Sequence, residues 1–431
     1  MAINILTYGA VGDGKTLCTE SFRKAVEAAK KSHESIIVPA GIYLTGTINL
    51  KSASLHLEKG AVIKGSPNME DYPVQDFVHN ELGGLRALIV CFDQQNIVVD
   101  GEGTIDLNGS SFYDFNSPLV PESKVPFTEA QKRECTVKYT IRPNQCIFFH
   151  NVKGLTVKGI TVLDAPCWAF SFNECENVKV HGLTINTSLN IPNDDGIHFC
   201  SCNGIIVSDC HITSGDDCIA VSGITNWAKA CENIIITNCV LHSCSKAIVL
   251  GYIYSHVRNV LIDNVIIQGS NRGLCFMSDT DCGLVENVRV TNMIIDTRIR
   301  AGNWWGNGEA IFAMAVKHDE HIPSEQKPDR ETNVNFKNIV IDGVYCMSEN
   351  AIGIVGTGKN VQSFFLKNIT VERRDSENLP LKGSTFDIAP SHTIVEVPQD
   401  CGVYIKNAEN VVLDHVTVMP FHGKELSIVV E

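Results

Sequence analysis

The feature that most constrains the fold of this chain is a short pattern that keeps returning. It reads Asn or Gly, three residues apolar at the first and third, two polar residues or Gly, then apolar, any, apolar. It occurs as Gly154-Leu-Thr-Val157, Asn177-Val-Lys-Val180, Gly204-Ile-Ile-Val207, Asn233-Ile-Ile-Ile236, Asn259-Val-Leu-Ile262, Asn287-Val-Arg-Val290, Asn338-Ile-Val-Ile341, Ser363-Phe-Phe-Leu366 and Asn410-Val-Val-Leu413. The starts are 23, 27, 29, 26, 28, 51, 25 and 47 residues apart. The two long intervals, near twice the others, are expected to hold a degenerate unit or a large loop. Each unit is a pair of β-rich runs too short for helices, parted by Asn, Asp or Gly at the bend. One unit cannot bury its own apolar face, but stacked units share a continuous core, each coil touching only its neighbours. A period near 25 predicts an all-β chain folded as a parallel β-helix. Cys210, Cys239, Val265, Met293 and Val344 fall at one place in the unit and are expected to stack inside it.

The 431 residues would suggest about three domains on length alone. The repeat replaces these with one solenoid domain over residues 1–431, whose N-terminal cap and first coils occupy 1–50. An apolar fraction of 44% against 19% charged residues fills a large core and argues against disorder. Lys plus Arg, 35, less Asp plus Glu, 49, gives −14, which speaks against nucleic acid as a partner, since phosphate binding needs a basic patch. No run of 18 to 20 apolar residues exists to cross a bilayer, so no membrane association is expected. The first fifteen residues carry Gly9, Gly12, Asp13 and Gly14 where a signal peptide would be apolar. If Met1 is the natural start the location is expected to be cytoplasmic; a trimmed chain would leave secretion open. The seventeen cysteines are scattered, without a CxxC pair, and are expected to be reduced, buried and small apolar in effect.

Glu20 to Ser32 places Phe22, Ala25, Val26 and Ala29 on one side of a helix, a fitting cap for an open solenoid end. Just before it, Gly9-Ala-Val-Gly-Asp-Gly14-Lys15-Thr16 matches the phosphate-binding loop pattern letter for letter. That loop belongs to folds in which further βα units follow, and here only β repeats follow. A glycine-rich turn leading into the capping helix is the better reading. Two stretches, 109–144 and 301–335, interrupt the repeat and read as loop insertions of a length that tends to serve function.

Carboxylates concentrate in two neighbouring repeats, Asn193-Asp194-Asp195-Gly196-Ile197-His198 and Gly215-Asp216-Asp217-Cys218. Asp195 and Asp216 lie 21 residues apart, near one coil, so stacking is expected to set them side by side. Either cluster alone is ordinary turn chemistry. Two acidic clusters on adjacent coils repel one another, a cost that points to a use. Cleaving a glycosidic bond needs such crowding: one carboxyl that keeps its proton for the leaving oxygen, and one that is ionised to activate water. The same geometry could instead hold a calcium ion, as in polysaccharide lyases.

These residues resemble the polygalacturonase family, family 28 of the glycoside hydrolases within the pectin lyase-like superfamily of right-handed parallel β-helices, and the chain resembles a divergent member of it. The likeness is carried by Tyr8-Gly-Ala-Val-Gly-Asp-Gly-Lys, Val38-Pro-Ala-Gly-Ile-Tyr43, Arg142-Pro143, Ala165-Pro-Cys-Trp168 and the two Asp clusters, and it extends to about residue 300. The resemblance implies an inverting glycosidase acting on pectin, with Asp216 as general acid and Asp195 and Asp217 handling the water. It implies neither cofactor nor metal. Three departures bear on the substrate. The family's NTDGxD ends here in His198; its GHG histidine aligns with Lys246; and its RIK triplet, whose Arg and Lys grip the galacturonate carboxylate, aligns with Cys275-Phe276-Met277, after Arg272-Gly273. With that carboxylate clamp absent or rebuilt, a neutral or differently decorated sugar is expected at that subsite.

The expected substrate is therefore a galacturonan-like, rhamnogalacturonan-like or related plant oligosaccharide, attacked from a chain end. Asn193, His198, Lys246 and Arg272 are candidate substrate contacts. So are Trp304, Trp305 and Glu309 in the second interruption, since aromatic faces stack on sugars. A lyase, a noncatalytic carbohydrate-binding β-helix, and an epimerase or transglycosylase remain open alternatives. The oligomeric state is not legible.

Overall fold

The computed structural model describes all residues except 1, 33, 124, 318–326, 331, 359, 382–396 and 399. Asparagine explains why the pattern recurs. Asn177, Asn233, Asn259, Asn287 and Asn338 open their units in the left-handed region, at φ 54° to 60°, and Gly154, Gly204 and Ser363 do the same in theirs. Asn and Gly tolerate that conformation better than other residues. The side chains then bind one another from coil to coil: the Nδ2 of Asn233, Asn259, Asn287 and Asn338 donates to the Oδ1 of Asn203, Asn233, Asn259 and Asn287 at 2.8 to 3.2 Å.

Between these bends the strands run parallel in successive coils, forming the expected parallel β-helix, right-handed as parallel crossovers are. One arrangement of 21 strands has alternating burial, as in Asn203–Ser208 and Ala230–Thr237, with one face to the core and one to solvent. A second sheet holds twelve strands: β1 (Ile48–Asn49), β2 (Ile89–Phe92), β3 (Gln145–His150), β4 (Trp168–Asn173), β5 (Ile197–Cys200), β6 (Ile219–Ser222), β7 (Lys246–Gly251), β8 (Arg272–Asp279), β9 (Ile311–Val316), β10 (Ile352–Gly358), β11 (Cys401–Ala408) and β12 (Ser427–Val430). Every residue of β4 through β8 is buried, so this sheet is covered on its outer face too.

Register aligns like with like. Phe149, Phe172 and Phe199 are neighbours on β3, β4 and β5, and their rings stack at 5.4 and 4.9 Å. Val265, Met293 and Val344 share one inward column as expected, and Cys210 and Cys239 are buried in the same core. All seventeen cysteines are buried and none forms a disulfide. The capping helix α1 (Thr19–Ser32) buries Phe22, Ala25, Val26 and Ala29 over the first coils; Glu20 in its first turn and Lys30 and Lys31 in its last complement its dipole.

Two sequence expectations are refined. Leu284–Thr297 pairs directly with Phe336–Ser348, and Val361–Arg373 with Val411–Val418, so each long interval is one coil with an excursion and not a degenerate unit. The interruption 301–335 is not loop throughout, because β9 lies within it and continues the covered sheet; part of it falls outside the described residues. The phosphate-loop look-alike closes on itself: Asp13 accepts the amides of Lys15 and Thr16 at 2.9 and 2.8 Å, which also holds its carboxyl down at about 2. Amides that would cradle a phosphate are thereby engaged.

Candidate active site

Strand register builds the centre of the site. Gly196 N donates to Asp217 O and Cys218 N to Lys246 O, so Asp195, Asp217 and Lys246 stand in one row across β5, β6 and β7. The same row continues to Trp168 and Gln145 on one side and to Arg272 on the other. Coil-to-coil spacing in such a row is about 4.8 Å. This amends the expected pairing. The offset between the coils is 22 residues, as in Ile197 against Ile219, so the neighbour of Asp195 is Asp217 and that of Asp216 is Asp194. Asp216 N accordingly donates to Asp194 Oδ1 at 3.0 Å.

The carboxylates are deeply placed: Asp194, Asp195, Asp216 and Asp217 are 0%, 3%, 5% and 8% exposed. Burial pushes the Asp216 carboxyl well above the usual carboxylate range, and Asp217 and Asp195 beside it push further while Lys246 pulls it back. Asp195 is raised by burial and then by Asp217, again opposed by Lys246. Asp194 is raised chiefly by burial. The Lys246 ammonium lies 3.0 Å from Asp217 Oδ1 and 3.9 Å from Asp216 Oδ1. An ammonium thus stands among these carboxylates and supplies the positive charge that offsets them.

His198 fixes Asp195. Its Nδ1 is 3.0 Å from Asp195 Oδ2, its Nε2 is 3.0 Å from Ser222 Oγ, and its ring centre lies 3.9 Å from that of Trp168. Asn193, at φ 59°, turns the chain so that its amide donates to Asp216 Oδ2 at 3.2 Å. Arg142 supports the turn from the first interruption, donating to Pro166 O, Pro192 O and Asn193 Oδ1. Trp305 is half-buried, with the Lys246 ammonium 5.6 Å from its ring centre.

Three expected substrate contacts are taken up by protein partners, Arg272 among them although it stands next to Lys246 in the row. Arg272 and Glu309 are each 1% exposed and bind each other through two parallel contacts of 3.1 Å, with the guanidinium 4.0 Å from the Phe312 ring centre. Trp304 is fully buried and donates from Nε1 to Glu134 O at 2.7 Å. None of the three presents surface to a sugar, because each side chain is satisfied by protein atoms. They hold the loop of Trp305 against β8.

The sequence reading passed over two residues. Strands Val78–His79 and Gly83–Gly84 form a small antiparallel hairpin that crosses the outer face of the covered sheet, and its tip carries Glu81. Tyr252, just past β7, donates to Glu81 Oε1 at 3.4 Å. Glu81 is exposed by surface area yet crowded by protein atoms, and this crowding pushes its carboxyl upward, with His198 and Lys246 opposing. Burial, Glu81, Asp216 and Asp217 together raise the Tyr252 hydroxyl. The one sequence signal was the turn-rich His79-Asn-Glu-Leu-Gly-Gly84 in a stretch where the β pattern pauses.

A profile of the family described as glycosyl hydrolases family 28 matches residues 29–301. The chain is 26% identical to a probable polygalacturonase of Vitis vinifera over 362 residues, covering 79% of this chain and 69% of that protein. It is 28% identical to an exo-poly-alpha-D-galacturonosidase of Dickeya chrysanthemi over 309 residues, covering 63% of this chain and about half, 51%, of that protein. Its fold is similar to that of a hyperthermoactive exopolygalacturonase of Thermotoga maritima, with a TM-score of 0.66 at 20% identity, over 97% of this chain and 91% of that one.

Proposed function

The chain belongs to family 28 of the glycosyl hydrolases, and on that premise we propose that it hydrolyses glycosidic bonds in pectin-type oligosaccharides from a chain end, with inversion. The observation that carries this is Asp216: a nearly buried carboxyl that burial and the neighbouring carboxylates push well above the usual range, beside a row of Asp195, Asp217 and Lys246. Asp216 protonates the departing glycosidic oxygen. Asp195, oriented by His198, and Asp217, paired with Lys246, hold a water on the opposite face of the sugar and take its proton.

Action from a chain end is supported by the cover over β4 to β8. An enzyme that binds the middle of a polymer needs a groove open at both ends. Here the hairpin covers the sheet on one side of the carboxylates, where Leu82 packs with Trp168 and Ile224, and the Trp304-Trp305 loop closes on the other. The relatives named for polygalacturonate support a pectic substrate.

Asp216→Asn tests the reading on a panel of pectic oligosaccharides, with NMR of the first-formed anomer. Turnover is expected to fall by about 10²- to 10⁴-fold while the thermal melt is unchanged, and the wild type to release the inverted anomer. An unaltered rate overturns the assignment, and an unsaturated, ultraviolet-absorbing product would make the enzyme a lyase.

A further inference from the structure

We propose that Glu81 and Tyr252 form the specificity end of the site, receiving the terminal sugar through its hydroxyls and turning away a terminal sugar that carries a carboxylate there. This rests on the hydrolase reading and refines its substrate.

The hairpin tip is built to hold Glu81 still. Asn144 Nδ2 donates to Leu82 O and Gly84 O at 3.0 and 2.9 Å, Asn80 donates to Ile224 O, and the amides of Glu81 and Leu82 both reach His79 Nδ1 at 3.2 Å. Leu82 is anchored in a cluster with Trp168, Trp227 and Ile253. A glutamate on an unconstrained surface loop gains nothing from such anchorage. Tyr252 is held from the other side by an unusual turn: Gly251, Tyr252 and Ile253 have φ of 92°, 151° and 47°. A β-branched residue at φ 47° is costly, and such strain gathers at functional positions. The two side chains come from positions 171 residues apart and meet beside Asp216 and Asp217.

Charge decides what this pair accepts. The hairpin of Glu81 packs on Trp168, the row neighbour of Asp195, and the charges of Glu81, Asp195 and Asp217 act on one another. The nearby cations are engaged: Lys246 with Asp217, His198 with Asp195 and Ser222, and Arg272 with Glu309. At the positions aligned with the family's clamp, Cys275 and Met277 are buried in an apolar cluster with Val249 and Phe312. A sugar carboxylate entering here would add another acid beside Glu81, Asp195 and Asp217, and among the described residues the cations just named are already paired. Sugar hydroxyls, in contrast, can donate to the Glu81 carboxylate and exchange hydrogen bonds with the Tyr252 hydroxyl. The fitting ligand is thus a pectic oligosaccharide whose terminal residue is neutral.

The test compares two probes that differ at one carbon: tri-galacturonate, and the trisaccharide in which the non-reducing terminal residue is galactose. Wild type, Glu81→Gln and Tyr252→Phe are assayed for kcat and KM on both, and both probes are titrated into Asp216→Asn and Asp216→Asn/Glu81→Gln. Wild type is expected to favour the galactose-ended probe at least tenfold in kcat/KM. Glu81→Gln is expected to lower that preference tenfold or more, through a higher KM for the neutral probe and a lower one for the uronate. Tyr252→Phe should raise KM for the neutral probe threefold or more. Equal losses on both probes, an unchanged preference in Glu81→Gln, or a wild-type preference for tri-galacturonate each overturn this inference while leaving the hydrolase reading standing. If wild type hydrolyses neither probe but Asp216→Asn binds the neutral one tenfold tighter, with Glu81→Gln abolishing the difference, specificity holds and the hydrolase reading falls.

Discussion

Lys246 sits 3.0 Å from Asp217 and is 7% exposed, so its charge serves both the fold and the titration of its neighbours. In Lys246→Met two effects follow. Asp217 becomes a buried carboxylate without its cation, which is expected to cost about 3 to 5 kcal/mol in a denaturant midpoint analysis. The pull that Lys246 exerts on Asp216 and Asp195 also disappears, so both carboxyls rise further. Asp216 must be protonated to act and Asp195 must be ionised, so the basic and the acidic limbs of the kcat profile both move to higher pH, by about one unit or more. A profile that stays in place would show that another pair titrates. Glu309→Gln is expected to lower stability by a similar amount, about 3 to 5 kcal/mol, since Arg272 would remain buried with a neutral partner. At this scale the sequence was informative where chemistry and repeat coincide: Asp195, Asp216, Asp217, His198 and Lys246 all lie on rungs, and all meet. It misled where position depended on a loop. Arg272 and Glu309 are 37 residues apart and pair because the excursion before β9 folds back, a contact that no periodicity encodes. Glu81 and Tyr252 were invisible for the same reason.

The repeat itself was legible because its opening residue is under a backbone constraint. Asn259 combines φ 57° with hydrogen bonds to Asn233 and from Asn287. Asn259→Val is expected to destabilise the protein by about 1 to 2 kcal/mol from the left-handed conformation alone, and Asn259→Gly by less. Equal losses for both variants in chemical denaturation would assign the effect to the side-chain ladder instead. Element boundaries were harder to read. The strands of the covered sheet are buried on both faces, so they lack the alternation that marks a strand in sequence. β9 is hidden in the same way: its run Ile311-Phe-Ala-Met-Ala-Val316 carries no polar alternation and lies inside a stretch that is otherwise polar and proline-containing.

The whole molecule is a stack of coils with one decorated side. Because that side is covered around the carboxylates, digestion of a pectic polymer is expected to release short products early. Viscosity should then fall slowly for each reducing end formed. A rapid loss of viscosity at low conversion would show that the chain interior is reached and that the cover opens.

The row through Trp168, Asp195, Asp217, Lys246 and Arg272 has a consequence for how this protein can change. Its members come from five coils and stand abreast only because each strand keeps its offset from the next. Inserting or deleting one residue between Gly196 and Asp216 would slide one acid out of line and turn inward side chains outward. Length variation is therefore confined to the excursions that leave the stack between rungs. Divergence in substrate preference can proceed there, in the hairpin of Glu81 and the loop of Trp305, while the spacing of the carboxylates stays fixed.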